Sequence, residues 1–399
     1  MENLLEQINE LYKENREWNY YDAEISTPFD SYKAKKFIKQ YFEYGAKKRV
    51  VLPFIDEIDS IRYVHTVSTF FIGLLIKREI CPELTILSRG YEDYKFSYLW
   101  FLVCLFHDMG YAIENDWMYK YKYRREAEGF LHQYEVVKGT YWRLGNIYRD
   151  LGLIYVAPTR YSKFTVSSKE RWFSDRIFRG IEFNNGTIIK KSMYTRKTVL
   201  NYLEYCKMTE GIRHYDHGIV GGLWLYDNLM KNYYRTYREE STRNPDIRID
   251  NFLVDGYWHF SFEQKIVFAY LADCIIAHNI WPAKKDTRDT YLKCGLEELV
   301  QPWFKKISFR NNPILFILAI ADTIEPVKLY SAEVNMTEVE IWKGINIKAE
   351  RKSLFIKLMD DKLSFQKLLA KVDGLDDWID VKVQVFKKSK EIKIDYCMF

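Results

Sequence analysis

The chain has 399 residues, 48% of them hydrophobic and 29% charged, an ordinary globular balance with room for one large core or two to three modest domains. No uncharged apolar run reaches 18 residues, so the sequence predicts no membrane-spanning helix. The start lacks the cationic and apolar regions of a secretory signal, and the six cysteines form no CxxC pair, so a cytoplasmic protein with reduced thiols is expected. The net charge of +5 is unevenly spread: Met118 to Arg213 holds 19 Lys and Arg against 9 Asp and Glu, and the remainder is net negative. This basic segment is also rich in aromatic residues. It suits a polyanion such as a nucleotide or nucleic acid, and it equally suits a solvated insertion that has drifted basic.

In chain order, "MENLLEQINELYKENREW" predicts an amphipathic helix with Leu4, Leu5, Ile8 and Leu11 on one side. A second helix is expected near Ser31–Tyr44 and a third over 58–78, where Ile61, Val64, Ser68 and Phe71 recur at helical spacing. The stretch "YLWFLVCLFHDMGYAIEND" follows, a helix from about Phe96 to His107 that Gly110 helps to end. The basic region, about 118–213, reads as a mixed insertion, with a helical piece at 125–144 and β-like or loop pieces at 152–166 and 184–194. Helices are expected at 217–231 and 261–279, with "STRNPDIR" as a polar linker between them. Pro313 opens a helix that stops near Pro326. After about residue 333 the composition shifts. "VEIWKGINIKAERKSLFIKLM" alternates as strands do, "SFQKLLAKV" is helical, and "VKVQVFKKSKEIKIDYCMF" alternates again. The fold expected is mainly α: a helical domain over 1–333 carrying the mixed insertion, and a small α+β C-terminal domain over 334–399.

Several of these helices deliver a metal-capable side chain from an apolar face. Tyr270, Cys274 and His278 fall at i, i+4, i+8, and Asp322 shares a stripe with Leu315, Leu318 and Ala319. An aspartate on a core stripe needs a cation, strong donors or a proton. His65 lies four residues after Ile61. His217 begins a helix in which Gly221-Gly222 permit another backbone to come close. Each alone has a bland explanation, such as a hydrogen-bonded core histidine or a helix cap. As the ordered set His65, His107-Asp108, His217, His278, Asp322 they form a ligand set for Zn, Mn, Fe, Ni, Co or Mg.

The segments "VHTVST", "LFHDMGYA", "DHGIVGG", "AHNIW" and "AIADTIEP", in that order, resemble the ligand-bearing helices of the HD-domain superfamily of metal-dependent phosphohydrolases. The resemblance covers roughly residues 50–330, interrupted by the basic insertion, and implies an HD-type helical bundle. It implies that His65, His107, Asp108 and Asp322 hold one divalent ion, and that Asp108 bridges to a second held by His217 and His278. Many members place Lys or His where this chain has Tyr111. The 108 residues between Asp108 and His217, and the lack of a "GYP" signature, separate it from the compact cyclic-dinucleotide phosphodiesterases.

The activity implied is hydrolysis of a phosphoester or phosphoanhydride, as by a phosphodiesterase, a nucleotidase or a dNTP triphosphohydrolase, using a water acidified by one or two cations. A nucleotide or nucleic-acid-derived phosphate is the expected substrate. His214, Asp216, Tyr111, Glu114 and Asp116 are candidates for proton transfer or for supporting the ligands, beside Asp108. Arg124, Arg125 and Arg213 are candidates for substrate phosphate. His214 and each of these arginines also read as ordinary surface residues on their own. Similar proteins with large insertions and an appended domain occur in bacterial antiphage systems, which extends the expectation to nucleotide depletion or signalling. The same ligand order also resembles the superfamily's diiron oxygenases, and a non-catalytic nucleotide or metal sensor is a third reading. The C-terminal region is expected to regulate the protein or to mediate homo-oligomerisation.

Overall fold

The computed structural model describes residues 2–14, 17–19, 24–44, 50–51, 55, 60–88, 92–111, 144–148, 151, 180–210, 216–254, 258–331 and 335–397. The helices whose limits are described begin with α1 (Leu4–Lys13), α2 (Ser31–Tyr44), α3 (Ser60–Ile80) and α4 (Phe96–Phe106). Then follow α5 (Arg196–Glu210), α6 (His217–Arg243), the hairpin of β1 (Asn251–Val254) and β2 (Trp258–Ser261), and α7 (Phe262–Ala277). The C-terminal third holds α8 (Pro313–Ile324), α9 (Pro326–Tyr330), α10 (Glu338–Lys343), β3 (Ile345–Ala349), β4 (Ser353–Leu358), α11 (Phe365–Val372), β5 (Val381–Phe386) and β6 (Glu391–Tyr396). Helix dominates the described residues and the sheets are small and separate, so the chain is mainly α. No helix among them is long and apolar enough to cross a membrane.

The chain divides into two compact units. One comprises Met1–Thr85, Lys95–Cys104 and Lys306–Phe399, the other Ile86–Tyr94 and Leu105–Lys305. In the first unit, α1 is held by a capping box between Asn3 and Glu6 and buries Leu4, Ile8 and Leu11, while Leu5 is only half-buried. Aromatic residues make up 17% of the chain, and rings from α1–α4 and the chain between form one cluster. Phe70 stacks on Phe101 at 4.2 Å between centroids, and Tyr41 meets Phe101 edge-on at 4.6 Å. Buried indoles need a partner for N–H: Trp100 donates to the Phe70 carbonyl (2.9 Å) and Trp342 to Ser68 Oγ (3.1 Å). Cys104 is fully buried, and burial, with Asp322 second, pushes its thiol pKa up, so it behaves as a small apolar core residue.

The C-terminal sheet of this unit is antiparallel, in the order β3-β4-β6-β5. The alternation expected of "VEIWKGINIKAERKSLFIKLM" begins later than the sequence suggests. Val339 to Lys343 lie in α10, because Thr337 and Glu340 close a second capping box and turn Ile341 and Trp342 inward.

In the second unit α6 and α7 run antiparallel, since Gly218 faces His278 and Gly222 faces the Ala272 carbonyl. α6 continues through Arg243, into the expected linker. The pairs Arg235–Glu239 (3.0 Å) and Arg243–Glu240 (2.9 Å) add local support to its polar last turns. Of the expected insertion, the piece at 125–144 lies outside the described residues except for Leu144, and 152–166 lies wholly outside them. Ile188–Ile189 pairs with Ile181–Glu182, as the β-like reading of 184–194 anticipates. Asp273, on α7, is buried and accepts a hydrogen bond from the Met193 amide (3.0 Å).

The two adjacent glycines do what the sequence suggests. A methyl group at Gly221 would collide with the Phe106 carbonyl oxygen, and one at Gly222 with that of Ala272. Gly221→Ala therefore lowers the melting temperature of the metal-free protein by the equivalent of about 1–3 kcal/mol, the usual overpacking cost. Alanine is the better helix former by about 1 kcal/mol, so a rise in melting temperature would show that the close approach is dispensable.

Candidate metal centre

Three segments of the second unit converge on one carboxylate. α4 ends at Phe106, and its last residues lead into a turn over 107–110 in which Met109 N–H donates to the Phe106 carbonyl (3.3 Å). His107 and Asp108 are thereby fixed at the end of a fully apolar stretch, and both are buried. His217 opens α6, and His278 caps the C-terminus of α7. Asp108 Oδ1 lies 3.4 Å from His107 Nε2 and 4.0 Å from His217 Nε2. Ligand atoms of Asp108, His217 and His278 all fall within 4.8 Å of one another. The His278 ring stands 5.3 Å from those of both His107 and His217, edge-on to each.

The chemistry of these donors fits a divalent ion. A buried carboxylate is costly without a compensating cation or donors, and imidazole with carboxylate suits the borderline and hard divalent metals. The surroundings also set the tautomers. His278 Nδ1 lies 2.5 Å from the Ile275 carbonyl, which can only accept, so Nδ1 carries the proton and the Nε2 lone pair is the one able to bind metal. Asp216 caps α6 by accepting from Ile219 N–H (2.9 Å), and its other oxygen accepts from the Asn279 side chain. One carboxylate thus ties the residue before His217 to the residue after His278. Tyr111 stacks on the His217 ring at 3.8 Å and 14° and fixes its plane. Gly110 lets this turn approach α6, because a methyl group there would strike the His217 backbone.

The first unit carries a second set. His65 is buried on α3, with Nε2 3.2 Å from Asp322 Oδ1 and Nδ1 2.8 Å from Glu325 Oε2. Glu325 is itself buried and accepts from the Val327 (2.9 Å) and Lys328 (2.8 Å) amides at the start of α9. Its charge therefore orders His65 with the proton on Nδ1. Nε2 is then an acceptor facing the Asp322 carboxylate, an arrangement that calls for a proton or a metal ion between them. Asp322 is only half-buried, and Lys328 Nζ stands 3.5 Å from it, so this carboxylate also has an ammonium group close by.

No family model, curated protein or solved structure matches the chain. The resemblance to HD-type sites therefore rests on the residues themselves.

Of the six expected ligands, the structure groups Asp108, His217 and His278 with His107 in one unit, and His65 with Asp322 in the other. Glu114, Asp116, Arg124, Arg125, Arg213 and His214 lie outside the described residues. Two supporting contacts were not legible as such. Glu325 reads in sequence as a polar residue before a proline, yet it orients His65; its place at the entry to a proline-started helix is the only local signal. Asp216 was a candidate for proton transfer or for supporting the ligands, and its two contacts fit the supporting role, with Asn279 as the unforeseen partner. Glu325→Ala should lower metal affinity by about 10–100-fold, the usual cost of removing a carboxylate behind a ligand histidine, with Glu325→Gln retaining part of it. Titration with Mn or Co checks this, and equal affinity in all three proteins would rule the role out.

Proposed function

We propose that the six residues of the sequence pattern are metal ligands, and that the protein is an HD-type metal-dependent hydrolase of phosphoesters or phosphoanhydrides, with a nucleotide as substrate. The observation that carries this reading is the buried Asp108 gathered with His217 and His278, which supplies the donor types the pattern requires. His65 with Asp322 supplies the same donor types again. When bound, divalent ions would acidify a water and neutralise negative charge growing on phosphoryl oxygens.

The chain's own groups have separable tasks. Asp108 offers two carboxylate oxygens and so can bridge. Ile275 and Glu325 set which imidazole nitrogen is available on His278 and His65. Tyr111 holds the His217 plane by stacking, and its hydroxyl is the candidate proton donor at the position where many HD proteins carry Lys or His. The test is metal analysis of the purified protein followed by a turnover screen over dNTPs, NTPs, cyclic dinucleotides and short single strands, with Mn, Mg, Co and Ni. Phosphate, pyrophosphate, triphosphate or nucleotide release supports the reading. Two irons with oxygen consumption would replace it with the oxygenase reading, and tight binding without product in every metal would replace it with a sensor.

A further inference from the structure

The C-terminal sheet presents one face to the core and the other outward. Ile392, Ile394, Leu354 and Ile356 point inward and are fully buried. The alternate positions carry a different chemistry, and the strand register places them in rows. In one row Lys348 (β3), Phe355 (β4), Lys393 (β6) and Gln384 (β5) stand side by side. The ammonium groups of Lys348 and Lys393 lie 6.0 and 5.6 Å from the Phe355 ring centroid. In the next row Lys357 and Glu391 lead to Phe386, which is 43% exposed. Lys382 is exposed further along β5, and Lys387, Lys388 and Lys390 follow in the connection to β6.

Lysines on an open sheet often serve only to keep it soluble. Here they flank two phenylalanines that are not in the core, on adjacent rows and separated by two strand spacings, or about 10 Å across the sheet. Of the ion pairs these lysines make, Lys348–Glu350 (2.6 Å) is at the surface and Lys393–Asp395 (2.7 Å) is partly exposed, so both ammonium groups can exchange to other anions. Splayed bases can stack on rings that stand out from a sheet while lysines track the phosphates.

We propose that this sheet face binds single-stranded nucleic acid, with bases stacked on Phe355 and Phe386 and the backbone held by Lys348 and Lys393. The site shares no residue with the metal ligands and does not depend on the hydrolase reading. The test is fluorescence anisotropy of a labelled 20-nucleotide deoxythymidine strand with the full chain in EDTA, where a metal-dependent activity is silent, over a salt series. Expected is saturable binding that Phe386→Ala weakens about fivefold or more. The double variant Lys348→Gln/Lys393→Gln should reduce the steepness of log K against log salt by about 1.4, near 0.7 for each phosphate no longer neutralised. Melting curves establish that the variants are folded. Should Phe386→Ala melt early, the lysine pair decides alone. The proposal is overturned by an absence of binding at low salt or by equal binding in all three proteins. A change of molar mass in Phe386→Ala without a change in strand affinity would assign the face to a second copy of the chain instead.

Discussion

Asp108→Ala should lose turnover in any metal and bind metal at least about 100-fold more weakly, since removing a partner merely behind a ligand costs up to that much. Among the described residues Asp108 is the one carboxylate of the second-unit set. Its removal has an opposite consequence without metal. A buried carboxylate with three imidazoles around it is held against a desolvation cost, so the EDTA-treated variant should melt no lower than EDTA-treated wild type. Wild type should gain melting temperature on adding metal, and the variant should not. Metal content by mass spectrometry and paired melts with and without EDTA check this. Full metal content together with wild-type turnover would mean that the centre lies elsewhere.

The second large effect is on stability and depends on pH. Burial of Asp273 raises its pKa from 3.8 to about 7, outweighing the Met193 amide that favours the ionised form. The folded state therefore holds this proton over a range where the unfolded chain has released it. The stability it contributes is fully present below pH 3.8 and is lost as pH rises to about 7, up to about 4 kcal/mol at 1.36 kcal/mol per unit. Asp273→Asn, which keeps an oxygen for the Met193 amide, should remove that slope and stabilise the protein at pH 8. Urea denaturation at pH 5 and pH 8 measures both. Parallel pH profiles for variant and wild type would show that Asp273 is solvated in solution.

Helices were the most legible part of the molecule. α2 matches its expected limits, and α3, α4, α7 and α8 fall within a few residues of theirs, because each carries an apolar pattern with a stop signal. Where local chemistry overrode the pattern, the reading slipped. α6 outran its apolar stripe on ion pairs, and α10 replaced the start of a strand through its capping box. The expected ligands were visible as ionisable residues in apolar surroundings, and Cys104 and Cys274 are buried as anticipated. The tautomer-setting partners were not visible, since the Ile275 carbonyl leaves no trace in composition and Glu325 acts across 260 residues of sequence. Division of the core between the chain's ends and its middle was equally hidden, because nothing in a local pattern says which distant segments share a core.

The Asp216–Asn279 link bears on how the site would take up an ion. It joins the start of α6 to the end of α7 through protein groups alone, so the spacing of His217 and His278 is set when the chain folds. Loading then resembles filling a seat of fixed width rather than gathering a loose chain. Ions whose preferred donor spacing departs from that width are disfavoured even at high concentration. Amide hydrogens in the first turn of α6 should exchange at similar rates with and without metal, and Asp216→Ala should make that exchange depend on the ion.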